Sequence, residues 1–118
     1  MYVEGYVTAV PKKNKQDYID LAKRIVPIFM KFGAVRVADC WQDDVPRGND
    51  INFFKAVNAN EDEDVVLSWL EYPSKDVRDA AVTKMDQDPE LQELWKHMPF
   101  NVERMIVGGF QSIMDSRR

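Results

Sequence analysis

Tyr2, Glu4 and Tyr6 alternate along the first stretch of the chain, with Thr8 in the same phase. Such alternation belongs to a β-strand, whose side chains leave on opposite faces in turn. On that reading Val3, Gly5, Val7 and Ala9 can pack against helices and the polar, aromatic set faces the other way. Bulges shift register, so pattern alone does not fix which parity of each strand faces the open side. Tyrosines beside a carboxylate suit a lined pocket or a subunit contact better than open water. A later strand supplies Trp69 and Tyr72, and the last one supplies Arg104. Glu4 would orient a ligand or take its proton, and Arg104 would pair with an anionic group. Tyr6, Trp69 and Tyr72 would stack on a flat ring. These are the candidate ligand-binding residues, and a small planar or anionic organic molecule is the candidate ligand. The competing reading is a polar network that fixes the register of a protein interface, which draws on the same residue types.

Other groups are secondary candidates. His97, in the run WKHMPF, is the only imidazole of the chain. It titrates near neutrality, but it has no partner nearby in sequence and reads as the exposed end of a helix. Cys40 stands between Asp39 and Trp41. A neighbouring acid makes a thiol less reactive, so it reads as a buried strand cysteine rather than a nucleophile. Asp43, Asp44 and Asp50 surround the turn DVPRGN. Local backbone hydrogen bonding accounts for them, and no His or Cys cluster supports a metal. Gly108 and Gly109 fall inside a strand, where glycine marks a bulge or a close approach. Trp69 and Trp41 are the bulky groups expected to fill that space.

The elements that must position these groups are legible from pattern. Asn14 is placed to cap a helix, with Asp17 in a capping-box relation. Tyr18, Leu21, Ala22, Ile25, Phe29 and Phe32 make its apolar stripe. Gly33 ends it, and Pro27 lies inside it, where a bend is expected. Val35 to Trp41 reads as a second strand, Asn52 to Val57 as a short extra one, and Val65 to Tyr72 as a third main strand. Ser74 caps a second helix, Asp88-Pro89 opens a short one, and Arg104 to Met114 is the last strand.

A β-α-β-β-α-β order has a natural solution, the ferredoxin-like α+β fold. In it a four-stranded antiparallel sheet carries its helices on one face. The first strand is then central, beside the third and fourth. The other face is left bare, and pairing with a second copy covers it as a homodimer with a central space, a dimeric α/β-barrel. The 118 residues suffice for one such domain spanning 1–118 with a core of its own.

The net charge of −4 argues against general binding of nucleic acid or anionic membrane. No apolar run reaches the roughly 20 residues that span a bilayer. The start MYVEGYV lacks a basic segment followed by an apolar one, so no signal peptide is expected. The single cysteine fits a reducing cytoplasm.

The stretches YVEGYVTAVPK, QDDVPRG, VVLSWLEYPS and MPFNVERMIVGGF, with the spacing between them, resemble the YbaA-like family of conserved bacterial proteins of unknown function. The resemblance covers nearly the whole chain. It implies ferredoxin-like subunits paired as a dimeric α/β-barrel, and it supplies no mechanism. In that family's pattern an acidic residue and often a glycine follow MPF. Asn101 and Val102 stand there in this chain, so no role of that carboxylate carries over. Similar barrels include cofactor-free monooxygenases, haem-degrading enzymes and muconolactone-type isomerases. A small-molecule cavity between paired sheets is therefore the leading expectation, with no cofactor or metal. A cofactor-independent monooxygenase or isomerase is the enzymatic alternative, and an interaction protein without ligand is another. RNA binding is least favoured, because the charge balance is acidic and no basic aromatic strand motif is present.

Overall fold

The β-branched and aromatic stretches form four strands in the order β2-β3-β1-β4, all antiparallel neighbours. The computed structural model describes residues 1–118. Its elements are β1 (Tyr2–Pro11), α1 (Lys15–Lys31), β2 (Arg36–Trp41), α2 (Phe53–Ala56), β3 (Glu63–Tyr72), α3 (Lys75–Asp86), α4 (Pro89–Trp95) and β4 (Ile106–Gln111). Short 3-10 turns occupy Lys12–Asn14 and Val102–Arg104. This is the expected ferredoxin-like α+β fold, with β1 central. No helix is long and apolar enough to cross a membrane.

The register settles which side chains share a face. Tyr2 lies opposite Tyr72, Glu4 opposite Leu70 and Tyr6 opposite Ser68. Tyr2, Leu70 and Tyr72 are buried in one cluster with Ile25 and Ile28 of α1 and Ala81 and Met85 of α3. Burial of each large side chain in that cluster contributes about 1.5–3 kcal/mol. The even-numbered residues of β1 therefore face the helices, which reverses the assignment expected from sequence. The inversion is physical. Val3, Gly5 and Val7 lie on the open face with Leu67, Trp69, Ile106 and Phe110 of the neighbouring strands. The polar set tolerates burial because Arg78 of α3 pairs with Tyr2 and Glu4, and Tyr6 donates to Glu4.

Part of the open face is roofed by the chain itself. Phe54 and Val57 pack on Ala9 and Val65, with Val45 and Ala59 alongside. This corrects the extra strand expected at Asn52 to Val57. Asn52 accepts a hydrogen bond from the Lys55 N–H at 2.9 Å, and the cap turns the segment into one helical turn.

Other boundaries also differ. The last strand begins at Ile106, because Asn101 caps a 3-10 turn that contains Arg104. Asn14 does not cap α1; its Nδ2 donates to the Pro99 carbonyl at 2.9 Å. Cys40 is exposed rather than buried, since β2 is an edge strand and Cys40 points to its open face beside Leu67. Ser74 and Asp88 cap α3 and α4 as expected, accepting from Val77 and Leu91.

Candidate functional site

Between the sheet and α1 lies a narrow cavity of about 80 Å³. Thirteen of its sixteen lining residues are hydrophobic, so its walls favour an apolar guest. Leu21, Ile25 and Phe29 of α1 form one wall. They fall at helical spacing on the stripe that the helix buries. Met98, Phe100 and Met105 come from the segment after α4 and close another side. That segment is held by the bond from Asn14 to Pro99 and by the Tyr18 and Phe100 rings, whose centres are 5.9 Å apart.

The polar groups gather at one end of the cavity. Asp39 Oδ1 accepts from Tyr18 Oη at 2.8 Å and from Ser68 Oγ at 2.6 Å. Burial and then the neighbouring Asp39 charge push the Tyr18 hydroxyl far above its ordinary value. Tyr6 also lines the cavity, and burial followed by the Glu4 charge raises its hydroxyl likewise. Both phenols stay protonated at neutral pH and act as donors. The arrangement can hold an apolar group and hydrogen-bond one polar atom of it.

Glu4, Tyr6 and Tyr72 do come together, on the helix side. Arg78 of α3 donates from Nη1 to Glu4 Oε1 at 3.2 Å and from Nη2 to Tyr2 Oη at 3.2 Å. Tyr6 Oη donates to Glu4 Oε2 at 3.1 Å. The Arg78 guanidinium also lies 4.7 Å from the centre of the Tyr2 ring. Glu4 is thus held by a partner on α3 and by Tyr6. Tyr72 is fully buried nearby, and its hydroxyl has no partner in the chain. Burial first, then the Glu4 charge, push that hydroxyl up to about 12.

Arg104 and Trp69 are elsewhere. Arg104 pairs with buried Glu63 through Nη1 and Nη2 at 2.7 and 2.6 Å and donates to the Asn58 carbonyl at 2.8 Å. It fastens the turn before β4 to the start of β3 and does not reach Glu4 or Tyr6. Its guanidinium was expected on a strand, and the 3-10 turn redirects it. Trp69 is on the open face, donating from Nε1 to Glu71 Oε2 at 3.0 Å. Trp41 Nε1 donates to Asp64 at 2.9 Å, and its ring meets Tyr18 edge-on. His97 is exposed with Nε2 3.3 Å from Glu93 Oε1, outside the cavity.

The two glycines face opposite ways. Gly109 faces the helices, where a Cβ would overlap the Tyr2 hydroxyl. Gly108 is on the open face under the Phe110 ring, 3.1 Å from where a Cβ would be. Phe110 occupies the space that Trp69 or Trp41 was expected to fill.

Tyr18, Asp39 and Ser68 were not singled out by sequence reasoning. A signal existed. Val37, Asp39 and Trp41 alternate along β2, and Tyr18 opens the buried stripe of α1. Extending the strand parity to β2 would have put the carboxylate and the phenol on one face.

Comparison with known proteins agrees with this architecture. A family model described as "Protein of unknown function (DUF1428)" matches residues 1–102. The uncharacterized protein YbaA of Escherichia coli strain K12 is 52% identical over 114 residues, covering 97% of each chain. Among solved structures, a dimeric ferredoxin-like protein from an uncultured marine organism superposes with a TM-score of 0.69 at 10% identity, over 100% of both chains. A mutant of SnoaB, a cofactor-independent oxygenase from Streptomyces nogalater, gives a TM-score of 0.53 at 13% identity, over 97% of this chain and 95% of the other.

Proposed function

The chain belongs to the DUF1428 family of proteins of unknown function, and from that premise we propose that it is a single ferredoxin-like domain that dimerises through its open sheet faces and binds a small molecule on the helix side. The observation that carries the binding reading is the set of linked Tyr18, Asp39 and Ser68 groups at the end of an otherwise apolar cavity. Ser68 is buried and Tyr18 half-buried, and hydroxyls cost solvation when they border apolar surface, while the exposed Asp39 carboxylate stays open to solvent. A structural core gains nothing from leaving space beside them. The volume of about 80 Å³ admits a single ring or a branched alkyl group. It is several times the roughly 10–15 Å³ that one water requires.

Thermal-shift titration with small phenols and cyclic ketones tests the reading. A ligand at 100 times its Kd should stabilise the protein by about 2.7 kcal/mol. Leu21→Phe, which fills the cavity, should remove the response, and Asp39→Asn should weaken it. No shift with any compound, or an equal shift in Leu21→Phe, leaves the interaction-protein reading in its place.

An enzymatic reading is favoured by one further feature. Asp39 Oδ2 makes no hydrogen bond within the chain, so it is placed to take a proton from an acidic ligand. Deprotonation of that kind suits a cofactor-independent oxygenase or an isomerase. Oxygen uptake with hydroquinone-type substrates, abolished in Asp39→Asn, is the expected result for an oxygenase.

A further inference from the structure

A second space, of about 500 Å³, runs along the outer side of α1 at the β2 edge. Lys15, Ile19, Lys23 and Pro27 line it from the helix, and Trp41 and Val66 from the sheet. It shares Tyr18, Ala22, Val26 and Asp39 with the inner cavity. Tyr18, Ala22 and Val26 form one i, i+4, i+8 row of α1. That row and Asp39 border both spaces, and the middle member of the row is only an alanine. The inner cavity is well below the roughly 300–1,000 Å³ of typical ligand sites, whereas the outer groove lies within that range.

The charge of the groove says what the outer end carries. The chain is acidic overall, yet the groove holds two lysines, Lys15 and Lys23, that make no ion pair, as is also true of Lys12, Lys13, Lys31 and Lys84 elsewhere. Lys15 Nζ lies instead 5.3 Å from the centre of the Trp41 ring. The carboxylate bordering the groove is Asp39; its Oδ1 accepts from two hydroxyl donors, its Oδ2 is free and its charge remains, so an anion is favoured only on the Lys15 and Lys23 side of the groove. Asp64, beneath Trp41, is held by the indole N–H. Lys15 and Lys23 stand about 12 Å apart along the helix, on either side of Ile19, and their side chains can converge between them.

Resting on the cavity reading above, we propose that the ligand is an amphipathic monocarboxylate. Its apolar end lies beneath the sheet against Leu21 and Ile25, its middle passes Ala22, and its carboxylate sits in the outer groove between Lys15 and Lys23. Unpaired cations beside an indole ring and an apolar floor match such a molecule and disfavour a neutral or cationic one.

Calorimetric titration with phenylalkanoates of increasing chain length, each paired with its methyl ester, tests the assignment. At low salt the acid should bind about fivefold tighter than its ester, the ratio that two exposed ion pairs supply. The preference should shrink in high salt and vanish in the Lys15→Gln, Lys23→Gln double variant, while the ester binds that variant as before. Ala22→Phe, which narrows the passage, should weaken acid and ester alike. Equal binding of acid and ester, lost in Leu21→Phe, overturns the carboxylate assignment and leaves the cavity reading standing. Binding of the acid that survives both Leu21→Phe and Ala22→Phe overturns it as well, because the anion is then held on the surface alone. Absence of binding by either compound overturns both readings.

Discussion

Glu63 is buried at the start of β3 with both carboxylate oxygens engaged by Arg104. The hydrogen bonds from Arg104, opposed by burial and aided by the Asn60 backbone N–H, hold its carboxyl below the ordinary glutamate range. A carboxyl depressed in the folded state adds stability above its unfolded value, and that stability is lost as pH falls toward the folded one. Urea unfolding between pH 7 and pH 3 should therefore show an acid-side decline that is flatter in Glu63→Gln. At neutral pH that variant should be less stable by about 2 kcal/mol, because the charged hydrogen bonds are lost and Arg104 faces only a neutral amide and the Asn58 carbonyl. Tyr72 presents the opposite case. Its hydroxyl is buried without a partner in the chain, and an unsatisfied polar group of that kind costs about 1–3 kcal/mol. Tyr72→Phe should hold or raise the melting temperature, whereas Tyr6→Phe should lower it by losing the bond to Glu4. A lower melting temperature for Tyr72→Phe would mean that the hydroxyl is satisfied in solution.

At the scale of elements, β4 separates the two faces of the sheet within a pair of glycines. A Cβ at Gly109 would overlap the Tyr2 hydroxyl and come within 2.9 Å of Arg78, both fixed beneath the sheet. Gly109→Ala should destabilise the subunit by about 1–3 kcal/mol, the usual cost of overpacking. At Gly108 the obstacle is the exposed Phe110 ring, which can swing away. Gly108→Val should leave subunit stability nearly unchanged and weaken self-association. Equal loss of stability in the two variants would contradict the assignment of faces. The order of strands and helices was legible because apolar spacing and caps such as Ser74 and Asp88 are local signals. The face of β1 was not legible in the same way. Glu4 and Tyr2 are buried because Arg78, more than 70 residues away, supplies their partner. Nothing near them in sequence announces it. Arg104 was misplaced for a related reason, since the Asn101 cap bends the chain before the strand begins. The candidate site was thus partly readable, with Tyr6 on the cavity wall, while Tyr18 and Asp39 required the pairing of β2 with β3 and the packing of α1.

For the molecule as a whole, area and shape point to an uncovered face. A compact monomer of 13.7 kDa exposes about 6,600 Å². This chain exposes 7826 Å². Its radius of gyration of 14.9 Å likewise exceeds the roughly 13.5 Å expected for its length. Large apolar side chains are among what it exposes. Leu67, Ile106 and Phe110 on the open face are 44%, 45% and 63% exposed, and Ile113 and Met114 beyond β4 are almost fully so. A stable contact needs roughly 800 Å² from each partner. The open face, continued by the tail after β4, offers surface of the right kind. Sedimentation equilibrium should give a dimer for the unaltered chain. Phe110→Asp and Leu67→Asp should each shift it toward monomer, because a charge buried in such a contact lacks a partner. The cavity proposed to bind ligand lies on the opposite side of the sheet, so a dissociated but folded Phe110→Asp subunit should keep any thermal response to ligand. If that variant loses binding together with dimerisation, the partner copy completes the site, and the helix-side cavity alone does not account for it.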